Sequence, residues 1–338
     1  MLYVSTRNKL DSYTAYRALH EDNAPDGGSF VPFHLIPFTQ DELNILKEKT
    51  FSEAVAQILN LFFSCRLSSW DVEFCIGRYP HRIELLNQRI AIAELWHNTQ
   101  DTYRHLVQSL YQKISGETDR QKEVPQWFQI AIETAMLFGL YAELQKNGVE
   151  SIDVAVTADD FLYPISAWYA REMGLPIDCI ICGCSESSNI WDFLQRGELD
   201  LSRSVSCAVL TGCLERLLYN TLGAEQIQLY LDACESGQPY ILTEEELNLL
   251  NSGFFAAVIG KKRIGSVINS IYRTNTYIAD PATAVSYGAL QDYRAQTGEN
   301  RLTLLMARCN PMLNSNEITS AIGLSEDELR AMIRYSGE

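Results

Sequence analysis

Three cysteines, Cys179, Cys182 and Cys184, stand at a metal-like spacing, and two histidines, His97 and His105, flank the start of a predicted helix. Thiolates and imidazoles are the usual zinc ligands, and histidine is also the side chain best placed to move protons near neutral pH. Neither group completes a site. The cysteines fall in an apolar run that reads as a strand, where successive side chains point to opposite faces, and no second Cys/His cluster fills a tetrahedral set. They read as core cysteines. No carboxylate or nucleophile in a recognised motif joins the histidines, so packing is their simpler role. Gly-x-Ser-x-Gly, Walker and Gly-x-Gly-x-x-Gly patterns are absent from the sequence. These residues by themselves assign no metal ligand and no catalytic group.

The elements that would carry them alternate in type. Thr39-Gln-Asp-Glu42 and Thr50-Phe-Ser-Glu53 are capping boxes, and Val55, Ile58, Leu59 and Phe62 then mark one face of a helix. Arg89 to Trp96 reads as a strand leading into a helix striped by Tyr103, Leu106, Val107, Leu110 and Ile114. Pro125 opens a long helix, apolar nearly all round, that Gly148 stops. After it come a strand at Ser151 to Val156, a helix at Phe161 to Met173, a strand at Ile177 to Cys182 and a helix at Asn189 to Arg196. Leu302 to Met306 reads as a further buried strand, and two short helices follow, the last capped by Ser325-Glu-Asp-Glu328. Apolar strands separated by helices predict an α/β fold with a mostly parallel sheet covered on both faces. Residues 1–80 are expected as a small N-terminal helical lobe and residues 81–338 as the larger α/β domain.

Composition narrows the function classes. The 338 residues carry 27 Lys and Arg against 43 Asp and Glu, a formal charge of −16. Such a surface repels phosphate backbones and anionic lipid, which argues against nucleic-acid or membrane-surface binding. The best apolar stretch, Phe128 to Leu144, is broken by Glu133 and Glu143, and the N-terminal residues lack the apolar run of a signal peptide. Nine scattered cysteines give an odd count and no disulfide framework. The expectation is a reduced, cytoplasmic protein.

Tyr3-Val-Ser-Thr-Arg7, Ala24-Pro-Asp-Gly-Gly28 with Phe30-Val-Pro32, Met173-Gly-Leu-Pro-Ile177, Leu214-Glu-Arg-Leu-Leu218 and Asp280-Pro-Ala-Thr-Ala-Val285 occur in that order. Together they resemble the threonine synthase family, pyridoxal-phosphate (PLP) enzymes of fold type II, the tryptophan-synthase-β-like fold. The resemblance implies that fold for the large domain, and the conversion of O-phosphohomoserine to threonine and phosphate.

At the positions that the resemblance assigns to chemistry, however, the residue types have changed. The family's cofactor lysine lies in a Phe-His-Gly-Pro-Thr-Leu-Ala-Phe-Lys-Asp segment, matched here by Trp96-His97-Asn98-Thr99-Gln100-Asp101-Thr102-Tyr103-Arg104-His105. His97 is kept, but Arg104 stands at the lysine position, and a guanidinium stays protonated and forms no imine. Arg104 also reads as a solvated helix charge. The family's phosphate-cradling loop, Val-Pro-Thr-Gly-Asn-Phe-Gly-Asn, is matched by Val156-Thr-Ala-Asp159-Asp160-Phe161-Leu162-Tyr163, which loses both glycines. Asp159 at ~5 Å from a phosphate dianion would repel it by about 6 kcal/mol at an effective dielectric near 20. Asp159 or Asp160 is expected to cap the following helix instead. Arg308, in Arg308-Cys-Asn-Pro311, replaces the threonine that the family sets against the pyridine nitrogen.

The resemblance also implies a small substrate-binding domain between the helix ending near Ile114 and the one opening at Pro125. Here only Ser115 to Val124 connects them, so that domain is expected to be missing. The resulting expectation is a shortened, degenerate pseudoenzyme without bound PLP. It would act as a partner or regulatory protein, by homodimerisation or on a full-length threonine synthase, or as a binder of a small anionic metabolite. The pocket candidates are His97, Arg104, His105, Asp159, Asp160 and Arg308. The alternative is an active PLP-dependent threonine synthase in which Lys113 or another lysine replaces the missing one.

Overall fold

The computed structural model describes residues 1–76, 81–96, 102–200 and 208–335. At the N-terminal end, β1 (Leu2–Ser5) lies between β2 (Ser12–Thr14) and β3 (Phe30–Pro32), antiparallel to both, with Tyr3 opposite Tyr13 and Pro32. Helix α1 (Ala15–His20) follows β2. Sequence reading expected only helices in this region; these strands are too short to show alternation. The turn before β3 needs its glycines. Gly27 adopts φ +80°, and a Cβ on Gly28 would collide with Ser5 Oγ and come within 2.9 Å of Arg7 Cγ. The Asp26 carboxylate fixes this turn, accepting from Ser5 Oγ at 2.7 Å and from the Gly28 amide at 2.9 Å.

Three helices lead to the main sheet: α2 (Gln40–Leu46), α3 (Phe51–Phe63) and α4 (Ser69–Ile76). The expected capping boxes open α2 and α3, with Glu42 and Glu53 each closing onto its threonine. The main sheet begins with an antiparallel pair, β4 (Arg82–Asn87) and β5 (Ile90–Glu94). The helices α5 (Thr102–Ser115) and α6 (Gln126–Lys146) follow, then β6 (Ile152–Thr157), α7 (Leu162–Glu172) and β7 (Ile177–Cys184). Helix α8 (Ile190–Arg196) precedes β8 (Glu198–Leu199), α9 (Ala208–Leu222) and α10 (Ala224–Ser236). A short strand β9 (Tyr240–Ile241), paired with β8, leads to α11 (Glu244–Leu250) and β10 (Phe254–Val258). The chain closes through α12 (Lys261–Asn275), α13 (Pro281–Thr297), β11 (Thr303–Ala307), α14 (Ser315–Ile322) and α15 (Glu326–Tyr335).

The main sheet has the order β10-β7-β6-β11-β5-β4, parallel throughout except for the β4 edge. Its inner strands, β5, β6, β7 and β11, are buried on both faces, and alternation divides their side chains between two cores. Ala91, Ala93, Val154, Val156, Ile180, Leu304 and Met306 join one core with α3, α6, α7 and α9. Ile90, Ile92, Ala155, Ile181, Leu305 and Ala307 join the other with α12, α13, α14 and α15. The cysteine run obeys the same rule: Cys182 and Cys184 belong to the first core and Cys179 to the second, all buried.

Helix α6 runs from Pro125 to a stop at Gly148, which adopts φ +82°. It is enclosed between α3 and α7 with apolar residues buried on every side, which its all-round apolar sequence requires. The connection from α5 to α6 is residues 116–125. Buried side chains of the N-terminal segment, Tyr3, Phe30 and Phe62 among them, share one continuous core with α6 and α9. Glu215 and Arg216 on α9 fasten this junction. Glu215 accepts from Thr6 Oγ1 at 2.6 Å and from Arg7 Nε at 3.0 Å, while Arg216 Nε donates to the Phe30 carbonyl at 3.0 Å.

Candidate functional site

Five parallel strands end on the same side of the sheet, where open α/β folds gather their ligand-binding residues. Arg308 follows β11, Asp159 and Asp160 follow β6, and Ser185 follows β7. The 97–101 segment after β5 lies outside the described residues, and His97 with it. A cleft of about 1060 Å³ opens beside these ends, walled by the first turns of α5 and α6, the 116–125 connection, the start of α7 and Arg308.

At its floor, Arg308 and Glu133 form a bidentate ion pair. Nε donates to Glu133 Oε1 at 2.9 Å and Nη2 to Oε2 at 2.7 Å, with Nη1 on the Met306 carbonyl at 3.2 Å. The guanidinium carbon lies over Tyr163, 3.6 Å from the ring centre, and Tyr103 Oη donates to the same Glu133 carboxylate. The side chains are 9% and 2% exposed. Burial opposes the Arg308 charge, but Glu133 beside it holds the guanidinium above its ordinary value. Burial likewise pushes the Glu133 carboxyl up, against the pull of Arg308. Arg308 thus borders the cleft, and its charge is neutralised from within by Glu133.

Arg104 and His105 project from the first turn of α5 to the cleft wall, and both are exposed. Arg120 and Lys122 join them from the connection. Among the described residues Arg104 and Arg120 make no ion pair, whereas Lys122 Nζ sits 2.8 Å from Glu117, which raises its pKa. Lys113 lies elsewhere, 2.7 Å from Asp71, and is likewise held protonated.

Asp159 and Asp160 do not line this cleft. They border a separate, smaller hollow with Ser185 and the start of α13. Asp159 is exposed and accepts from the Ser185 amide at 2.8 Å, rather than capping a helix. Asp160 accepts from the Leu162 amide at 3.1 Å and so serves the first turn of α7; burial pushes its carboxyl up despite that bond. The residue before α7, Phe161, is buried at φ +59°. Leu162, at an expected glycine position, is buried and forms part of the cleft wall.

Sequence reasoning missed Glu133, Tyr103, Tyr163 and Arg120. Glu133 carried a usable signal, because a carboxylate inside an all-apolar helix must find a cation. The aromatic partners carried none.

A family profile described as "Threonine synthase N terminus" matches residues 2–78. Threonine synthase-like 1 of Homo sapiens is 28% identical over 175 residues, 47% of this chain and 23% of that protein, and the Pongo abelii protein gives the same figures. The match thus spans less than a quarter of these relatives. Among solved structures, PLP-bound threonine synthase from Brucella melitensis superposes with a TM-score of 0.77 at 16% identity, covering 99% of this chain and 94% of that one. Threonine synthase from yeast gives 0.79 at 13% identity, covering 97% and 91%, and that from Escherichia coli gives 0.71 at 14%, covering 96% and 92%. This chain therefore carries a segment similar to the threonine synthase N terminus and has the fold of the solved threonine synthases.

Proposed function

We propose that this chain is a non-catalytic threonine synthase homologue whose cleft holds a small anion and forms no covalent bond to a cofactor. The observation that carries the reading is the Arg308–Glu133 pair, seated on Tyr163 at the cleft floor. The residues present do not suit PLP. Its aldehyde requires a neutral primary amine, and Arg104 supplies a guanidinium. Its phosphate requires a backbone cradle, and the loop after β6 instead presents the exposed Asp159 carboxylate and the bulk of Leu162. Arg104 and Arg120, unpaired among the described residues, give the cleft wall cationic groups that suit a carboxylate or phosphate. The short 116–125 connection supports the absence of a separate substrate domain.

Association with a second copy or with a full-length threonine synthase belongs to the same reading. Its support is the pair Trp70 and Phe74, one turn apart on α4 and 78% and 85% exposed. No helix among the described residues is long and apolar enough to cross a membrane. A cytoplasmic location is part of the proposal.

One observation favours the alternative of an active enzyme: Lys122 lines the cleft. Its ion pair with Glu117 works against it, since a raised pKa leaves less of the neutral amine. The two readings separate in one experiment. The purified chain mixed with PLP is expected to show no borohydride-reducible aldimine band and no phosphate release from O-phosphohomoserine. A band abolished by Lys122→Met, with phosphate release, would establish the enzyme instead.

A further inference from the structure

Arg216, on α9, is completely buried and makes no ion pair among the described residues. Its acceptors are neutral: the Phe30 carbonyl, the Gly212 carbonyl at 3.0 Å and Gln126 Oε1. Among the described residues its Nη2 meets no acceptor. The neighbouring carboxylate, Glu215, is turned the other way onto Thr6 and Arg7. A buried guanidinium with an orphaned donor is costly unless an anion reaches it.

The cleft is close at hand. Gln126 is its partition: the residue lines the cleft, and its side-chain oxygen accepts from Arg216 behind it. Gly212 permits this contact, because a Cβ there would collide with Gln126 Oε1. Gln126 also opens α6, so the positive end of a 21-residue helix points to the same wall.

We propose that Arg216 is the inner anchor of the cleft's anion site, reached when the Gln126 amide swings aside and a carboxylate or phosphate oxygen of a small ligand takes its place. Arg104 and Arg120 hold the outer part of that ligand. The inference rests on the anion-binding reading given above, and goes beyond it by naming a residue that shows no surface of its own.

Gln126→Glu tests it by building the anion in. The full-length chain is titrated by calorimetry with inorganic phosphate and, separately, with succinate, and its melting is followed without ligand. Wild type is expected to bind at least one of the two, which also distinguishes a phosphate from a carboxylate ligand. Q126E is expected to melt higher than wild type without ligand and to bind that anion at least tenfold more weakly. Q126A, which opens the partition, is expected to bind it at least as tightly as wild type. Where Arg216→Met does not fold, the two Gln126 variants still decide. Anion binding that is lost in R104A but unchanged in Q126E would overturn the role of Arg216 while sparing the cleft reading. Absence of binding of either anion to wild type would overturn both.

Discussion

Glu133, in the middle of α6, and Arg308, just past β11, meet through two parallel hydrogen bonds of 2.9 and 2.7 Å, although 175 residues separate them. The pair ties the central helix of one core to the carboxyl end of the sheet. Neither charge has water to fall back on, so each depends on the other.

Breaking the pair on one side should therefore be much worse than removing it. Glu133→Gln is expected to cost about 3–5 kcal/mol in urea unfolding, and Arg308→Met a similar amount. The double variant Glu133→Leu with Arg308→Met should recover most of that loss. Additive single and double effects would show that the two side chains act independently.

Arg104→Lys is expected not to restore an internal aldimine when PLP is added. The new amine would stand at the cleft wall, but the loop after β6 would still carry Asp159 and Leu162. An absorption band in this single variant, trapped by borohydride, would show that the phosphate cradle is intact after all.

Stability should fall as pH rises from about 4 to 6, through Asp153. Its carboxylate is buried at the start of β6, with Oδ1 3.6 Å from Arg301, which bonds Asp178 more closely at 3.0 Å. Burial pushes this carboxyl up to about 6. The folded state then holds a proton that the unfolded chain has released, and its stabilisation is lost as that proton leaves. The loss across this range is about 2 kcal/mol, because each tenfold difference in proton affinity between the two states is worth about 1.4 kcal/mol and the titration is incomplete at both ends of the range. Urea unfolding from pH 4 to 6 should show the slope in wild type and a flatter profile in Asp153→Asn. Parallel profiles would assign the dependence to other groups.

Gly28→Ala should destabilise the chain by about 1–3 kcal/mol, as overpacking does. The added methyl meets Ser5, Arg7 and Thr6 at once, and the last two of these hold Glu215. Thermal melting checks this; a change within about 0.5 kcal/mol, the size of an ordinary surface effect, would mean that the turn relaxes freely.

Self-association, if it uses Trp70 and Phe74, should strengthen with ionic strength, because salt screens the repulsion between chains of charge −16. Sedimentation at micromolar concentration, in low and high salt, should show a dimer that Trp70→Ser weakens. A monomer throughout, with and without a full-length threonine synthase, would remove the partner proposal.

The inner parallel strands β5, β6, β7 and β11 were legible because burial on both faces makes them continuous apolar runs, and β6, β7 and β11 fall within two residues of their expected limits, whereas the half-exposed parallel edge strand β10 was not read. Helix α6 was legible from Pro125 and Gly148, which punctuate it for backbone reasons independent of packing. The strands β1, β2 and β3 were not, since three or four residues cannot display a period. Site residues divided in the same way. Arg104 and Arg308 were placed by resemblance and do border one cleft, while Asp159 and Asp160 turn toward another. No local pattern marked Arg308 as neutral, because its charge is cancelled from a distant helix.

The position of β11 also constrains how the chain reaches its fold. This strand sits between β5 and β6, yet the ribosome delivers it after every other strand of the sheet. Until it arrives, β5 and β6 face each other across an open slot, with apolar edges that any extended segment can invade. Closing the sheet is therefore a late, long-range event of the slow kind. A nascent chain stalled before residue 303 would expose the two strand edges best able to recruit a foreign strand.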